Sequence, residues 1–181
     1  MVEYNIMRRS EREINDFSEI LDVLRRTQTI RLGLNGDPFP YVVPLSFGFK
    51  ALGGCAGGVG SDSVGAGDMG VGGVVIYVHG AAEGLKHELL DRDNHVCVEA
   101  DIFYRNIEHG EADSRSITAE YDSFIGFGTA EAAVGADAEE GMDLLLEHCG
   151  FSGFIYDKAA LDKVKVYKFT LTDVKGKRCR I

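Results

Sequence analysis

The chain has 181 residues, 45% of them hydrophobic, which suffices for one substantial core and is too short for two ordinary domains, so 1–181 reads as a single domain. A formal net charge of −10 and a pI near 4.9 weigh against a nucleic-acid backbone or an anionic membrane surface as partner. No apolar run approaches the roughly 20 residues of a membrane-spanning helix, and the first residues lack a signal peptide's apolar core. Cys55, Cys97, Cys149 and Cys179 form no C-x-x-C pair, which points to reduced thiols and a cytoplasmic setting.

Ser10 and Glu13 form a capping box, and Ile14, Phe17, Ile20, Leu21 and Leu24 follow at helical spacing, predicting a helix over 11–27. Thr29–Leu34 reads as a short strand, Asn35-Gly36-Asp37-Pro38 as a turn, and Tyr41–Phe49 as the returning strand of a hairpin. Pro44 removes a ladder donor in the middle of that strand, so a bulge or an edge is expected there. Residues 51–73 contain ten glycines and no aromatic residue, and predict a mobile insert. Val74–Val78 is apolar and β-branched, hence a strand. It turns at His79-Gly80-Ala81 into a helix predicted over 82–91, whose first turns carry Lys86. Open backbone N–H groups, the helix dipole and the ammonium make that turn suitable for a phosphate.

His95–Ala100 reads as a buried strand, 104–120 as an irregular polar stretch, and Ser123–Val134 as the next strand. Asp137–Cys149 has an apolar side and an acidic start, so a helix is expected. Val164–Thr172 alternates into a last strand. Strands interrupted by helices are compatible with a parallel α/β sheet, but the hairpin at 35–38 speaks against it.

Five segments in order, MRRSEREI (Met7–Ile14), YVVPLSFGF (Tyr41–Phe49), IYVHGAAEGLKHELL (Ile76–Leu90), NHVCVEAD (Asn94–Asp101) and YDSFIGFGTAE (Tyr121–Glu131), carry a resemblance. The chain resembles the nitroimidazole-resistance (Nim-like) branch of the pyridoxamine 5′-phosphate oxidase-like split barrels. The resemblance implies a mainly β fold, a six-stranded antiparallel split β-barrel. It further implies a homodimer with two FMN sites at the subunit interface, and an NAD(P)H-linked reductase of nitroaromatic or other small electrophilic molecules.

On that resemblance Val43, Pro44, Leu45, Ser46 and Phe47 flank the flavin ring. Gly80, Ala81, Gly84 and Lys86 hold the phosphate, Ser123 reaches it, and His79 stands beside the flavin as the proton-handling residue. Related sequences carry an arginine just before the serine where this chain has Asp122, so Arg115 or Arg8 is expected to supply the missing charge. Two rival readings remain: a heme-binding barrel with a histidine on the iron, and a non-catalytic flavin-binding or redox-sensing module. His79, His87 and His95 recur every eight residues, but on a helix that interval misses one face by about 80°, and no acidic or thiolate partner clusters with them, so no metal site is assigned. Gly126-Phe127-Gly128 lacks the spacing of a dinucleotide fingerprint and reads as strand glycine.

Overall fold

The computed structural model describes residues 7–52, 72–108, 117–156, 161 and 163–180. A 3-10 turn at Ser10–Arg12 precedes β1 (Glu13–Ile14), α1 (Phe17–Arg26), β2 (Ile30–Leu34), β3 (Tyr41–Leu45), β4 (Gly48–Leu52) and β5 (Gly73–Ala81). Then follow α2 (Leu85–Arg92), β6 (His95–Glu108), β7 (Ile117–Ala133), α3 (Ala136–His148) and β8 (Val164–Cys179). Every pairing is antiparallel, in the order β3-β2-β6-β7-β8-β5-β4, with β1 added on β8.

β3 and β4 end that order on opposite sides, yet only Ser46 and Phe47 separate them in the chain. At about 4.8 Å per strand, a flat sheet of seven strands would put them far beyond the reach of two residues. The sheet must therefore curl until its ends meet, which gives the antiparallel split barrel. Among the described residues there are eight strands rather than six, because Tyr41–Phe49 divides at the Ser46-Phe47 corner and the two-residue β1 is added.

Successive residues of β5 face opposite ways. Val74, Ile76 and Val78 point into the barrel core with Leu32, Phe124 and Phe169, and α1 caps that core with Val23 and Leu24. Val75 and Tyr77 pack instead with Ala133, Ala138 and Val166 beneath α3. Burial on both faces explains why this strand reads as an unbroken apolar run.

Several expected boundaries move, each for a physical reason. α1 starts at Phe17 rather than residue 11, because Asp16 accepts from Ser18 N (2.8 Å) and acts as the N-cap. Glu13 pairs with Lys175 (2.6 Å) instead of completing a capping box, and Ile14 is buried in the β1–β8 pairing. Pro44 sits opposite Arg31 in unshifted register on β3, which among the described residues pairs only with β2, so it occupies an edge and not a bulge. β6 runs on to Glu108 and β7 begins at Ile117 where irregular chain was expected, because polar side chains there alternate in a ladder and Arg105 pairs with Glu120 (2.8 Å). β8 likewise continues to Cys179. Residues 53–71 of the glycine-rich insert and Arg115 lie outside the described residues; the ends of the insert meet where Leu52 pairs with Gly73.

Candidate functional site

β5 is buried through Val78 and emerges at His79, Gly80 and Ala81. The chain then turns into α2 through Gly84, whose φ of 122° is open to glycine and strained for other residues. Gly84 O accepts from His87 N (2.9 Å) and Glu88 N (3.4 Å), so the amides of Leu85 and Lys86 precede the first intrahelical bond and remain available.

Lys86 folds back over the strand it follows. A Cβ on Gly80 would stand 2.7 Å from Lys86 Nζ, so the ammonium occupies the space that any side chain at position 80 would need. Lys86 is half-buried, burial pulls its pKa down, and among the described residues it makes neither a hydrogen bond nor an ion pair. A desolvated cation without a counter-charge costs free energy, and an anion beside it would relieve that cost.

His79 lies at the same end of β5. Alternation sets it on the α3 face with Val75 and Tyr77, one residue from Gly80 on the barrel face. Its pKa is lowered, first by the protein that strips water from one side of the ring and second by the charge of Lys86. The β4–β5 register ends at Gly48 opposite Tyr77; two residues further along each chain it would bring Ser46 to the level of His79. The corner between β3 and β4 thus stands beside the strand end that carries the histidine.

Within that corner only some side chains face outward. Pro44 and Ser46 are exposed, whereas Val43 and Leu45 turn partly into the core. Phe47 is fully buried with its ring 4.4 Å from that of His148, so it can offer a flavin its backbone only. Ser123 is on the outer face of β7, opposite Asp101 and Lys177. Since Gly80 pairs with Lys165 and Ser123 with Lys177, the two are separated within one protomer by roughly 40 Å of strand at ~3.3 Å per residue.

Asp122 corrects the expectation of a missing cation. Its side chain points the other way from Ser123 and is fully buried, accepting from Arg178 Nε (3.0 Å), Arg180 (2.6 Å) and Tyr104 Oη (2.9 Å), with Arg26 at 3.5 Å. Burial alone would raise its pKa; hydrogen bonds from Arg178 and Tyr104 and the nearby guanidinium charges outweigh that and hold it low. Arg26 also donates to Tyr104, and Arg180 lies 3.9 Å from that ring's centre. Arg8, the other expected substitute, is exposed and has no part in this cluster. A cavity of about 400 Å³ beside it sets Arg12, Arg178 and Arg180 against Glu11, Glu13 and Glu19, a balance that favours no charged ligand.

The three histidines of the eight-residue repeat go separate ways: His87 Nδ1 is 2.8 Å from Tyr167 Oη, and His95 Nδ1 is 2.7 Å from Asp93. Among the described residues no three metal-ligating side chains converge, and no helix is long and apolar enough to cross a membrane. Neither the Asp122 cluster nor the His87–Tyr167 pair is legible in the sequence, because their members lie tens of residues apart and carry no spacing rule.

Comparison with known proteins agrees with this architecture. The pyridoxamine 5′-phosphate oxidase family matches residues 16–178. A candidate 5-nitroimidazole antibiotic resistance protein of Bacteroides thetaiotaomicron superposes with a TM-score of 0.69 at 22% identity, over 91% of this chain and 85% of its own. The flavocytochrome Anf3 of Azotobacter vinelandii gives 0.72 at 14% identity, covering 97% of this chain and 73% of its own. An FAD and heme binding protein of Mycobacterium smegmatis gives 0.62 at 14%, covering 94% and 74%. At these identities the structural likenesses establish the fold. No curated protein matches the sequence.

Proposed function

The chain belongs to the pyridoxamine 5′-phosphate oxidase family, and on that premise we propose that it binds FMN and acts as an oxidoreductase, an NAD(P)H-linked reductase of nitroaromatic or other small electrophilic compounds. The observation that carries this reading is Lys86, a half-buried ammonium without a partner among the described residues, lying over Gly80 beside the open amides of the α2 start. That donor set suits a phosphate. Gly80, Ala81 and Gly84 would keep the turn clear for it. Val43, Pro44, Leu45, Ser46 and Phe47 would line the ring, Pro44 and Ser46 with their outward side chains and Val43, Leu45 and Phe47 through the backbone.

Bound there, flavin would supply the electron transfer that these side chains cannot perform. His79 would stand at the substrate end. Its lowered pKa keeps the imidazole neutral near pH 7, so one ring nitrogen donates and the other accepts. A substrate oxygen or nitrogen gaining electrons would accept a hydrogen bond from that N–H and take its proton as the other ring nitrogen receives one from water, so the ring relays the proton and stays neutral.

Given its distance along β8, Ser123 would join the same phosphate only from a second copy, so on this reading the protein is a homodimer with flavin sites between subunits. Exposed Val42 and Phe103 share the outer sheet face with half-buried Ile125 and Phe127 and would be covered by such a partner. Burial and Glu99 push the Cys97 thiol up, keeping it unreactive, in line with a cytoplasmic protein of reduced cysteines.

An absorption spectrum of the purified protein before and after adding FMN, with the released chromophore identified by mass, tests the reading. A flavin spectrum with FMN as the released mass, and oxidation of NADH or NADPH when a nitroaromatic acceptor is added, are expected. A heme spectrum, or no binding when FMN is supplied, would contradict it.

A further inference from the structure

We infer that His87 and Tyr167 are positioning residues for the anion site, fixing the rotation of α2 so that Lys86 lies over Gly80. The inference rests on the phosphate reading of Lys86 given above. α2 has eight residues, too few to hold a helix without tertiary contacts, and Gly84 provides no side-chain cap. Its pose is therefore set by what it touches.

Leu89 and Leu90 enter the core and fix how deeply the helix sits. Apolar contacts are not directional, and they leave rotation about the axis loosely defined. The first turn has one directional contact with the sheet among the described residues. His87 is buried, its Nδ1 is 2.8 Å from Tyr167 Oη, and the two rings stack with centroids 5.4 Å apart at 26°. One helical turn on, Asp91 stands 4.0 Å from Lys165, whose ammonium lies 5.1 Å from the centre of the Tyr167 ring.

These two fastenings refer to one ladder, while Arg92, donating to Asn35 O (3.0 Å), holds the far end of the helix, away from Lys86. Tyr167 pairs with Val78 and Lys165 with Gly80, so β8 holds at once the strand over which Lys86 lies and the helix from which Lys86 springs. Lys86 and His87 are adjacent, about 100° apart around the axis. A turn of about 30° would carry a side-chain end roughly 3 Å at the ~5–6 Å radius of a helix with its side chains, enough to break a hydrogen bond to a phosphate oxygen. A leucine would fill the site of His87 without needing a partner; the histidine adds direction.

The test compares FMN with riboflavin, which lacks the phosphate, by flavin fluorescence titration of the wild type, Lys86→Ala, His87→Phe and Tyr167→Phe. The last two keep an aromatic pair and delete the hydrogen bond. Each is expected to leave riboflavin affinity within about two-fold while lowering the preference for FMN by about five-fold or more, the effect of one lost hydrogen bond. A merely structural role would lower both affinities together. Full FMN preference in both variants, alongside its loss in Lys86→Ala, would overturn the positioning role and leave the phosphate site standing. No preference for FMN in the wild type would overturn the phosphate reading and the inference with it. Should His87→Phe fail to fold, Tyr167→Phe, which removes a single oxygen, decides the matter alone.

Discussion

The two ends of β8 treat buried charge differently. Near Lys165, at the start of the strand, a half-buried ammonium lies over Gly80 with no counter-charge among the described residues. Near Arg178, at its end, a fully buried carboxylate is met by three arginines and a tyrosine. The Asp122 cluster is satisfied from within and ties α1, β6, β7 and β8 together. Among the described residues Lys86 ties nothing together, and its charge is left for an anion to neutralise. A charge that folding satisfies belongs to the structure, and one that folding leaves unpaired marks a place to bind.

The largest effect that would break this contrast is on Asp122. Asp122→Ala leaves Arg26, Arg178 and Arg180 facing one another, and is expected to cost about 3 kcal/mol, on the order of 10 °C in melting temperature. Its pH dependence has a definite sign. The folded pKa lies below the ordinary 3.8, so the stabilisation is full above that value and is lost as pH falls through the folded pKa. Urea melts at pH 7 and pH 3 should therefore show the wild type losing more stability on acidification than Asp122→Asn. Equal losses would move Asp122 out of the structural half of the comparison.

Lys86→Ala should do the opposite. FMN affinity is expected to fall by roughly 1.5–3 kcal/mol, the worth of a charge-assisted contact, while the melting temperature of the flavin-free protein stays level or rises, because an unpaired desolvated cation has been removed. A clear drop in that melting temperature would show that Lys86 has a structural partner after all. Gly80→Ala sharpens the same point with a smaller effect. The new methyl group takes the space beneath the ammonium, so FMN binding should weaken by about 1 kcal/mol with riboflavin binding unchanged, measured by the same titrations.

How far the sequence foretold each end follows from what local patterns record. The turn at His79-Gly80-Ala81, the Gly84 hinge and Lys86 lie within eight residues, and a strand, a glycine turn and a helix start announce themselves by spacing. The antiparallel hairpin at 35–38 and the strands of the barrel core were readable for the same reason. Asp122 was not readable. Its partners come from α1, β6, β8 and the residue just past β8, and only the fold brings Arg26, Tyr104, Arg178 and Arg180 to one carboxylate; from the sequence the aspartate looked like a lost cation. The division of Tyr41–Phe49 was hidden too, since the apolar run is continuous and the corner at Ser46-Phe47 is imposed by closure of the barrel. Polar alternation concealed the outer reaches of β6, β7 and β8, where ladder hydrogen bonds and ion pairs do the work that apolar residues do inside.

The smallest effect concerns neither end. Replacing residues 53–71 by a short turn joins Leu52 and Gly73, which already pair across β4 and β5. Loop-closure entropy changes slowly with length, so thermal unfolding should shift by no more than about 1–2 kcal/mol in stability. A larger loss would assign the insert a packing role.

The central claim is that Lys86 is a phosphate ligand in waiting, and titration of the wild type and Lys86→Ala with FMN and riboflavin tests it most directly. The account predicts that the wild type binds FMN at least about ten-fold more tightly than riboflavin and that Lys86→Ala removes that preference with riboflavin affinity intact. Equal affinity of the wild type for the two flavins, or an undiminished preference in Lys86→Ala, would contradict it.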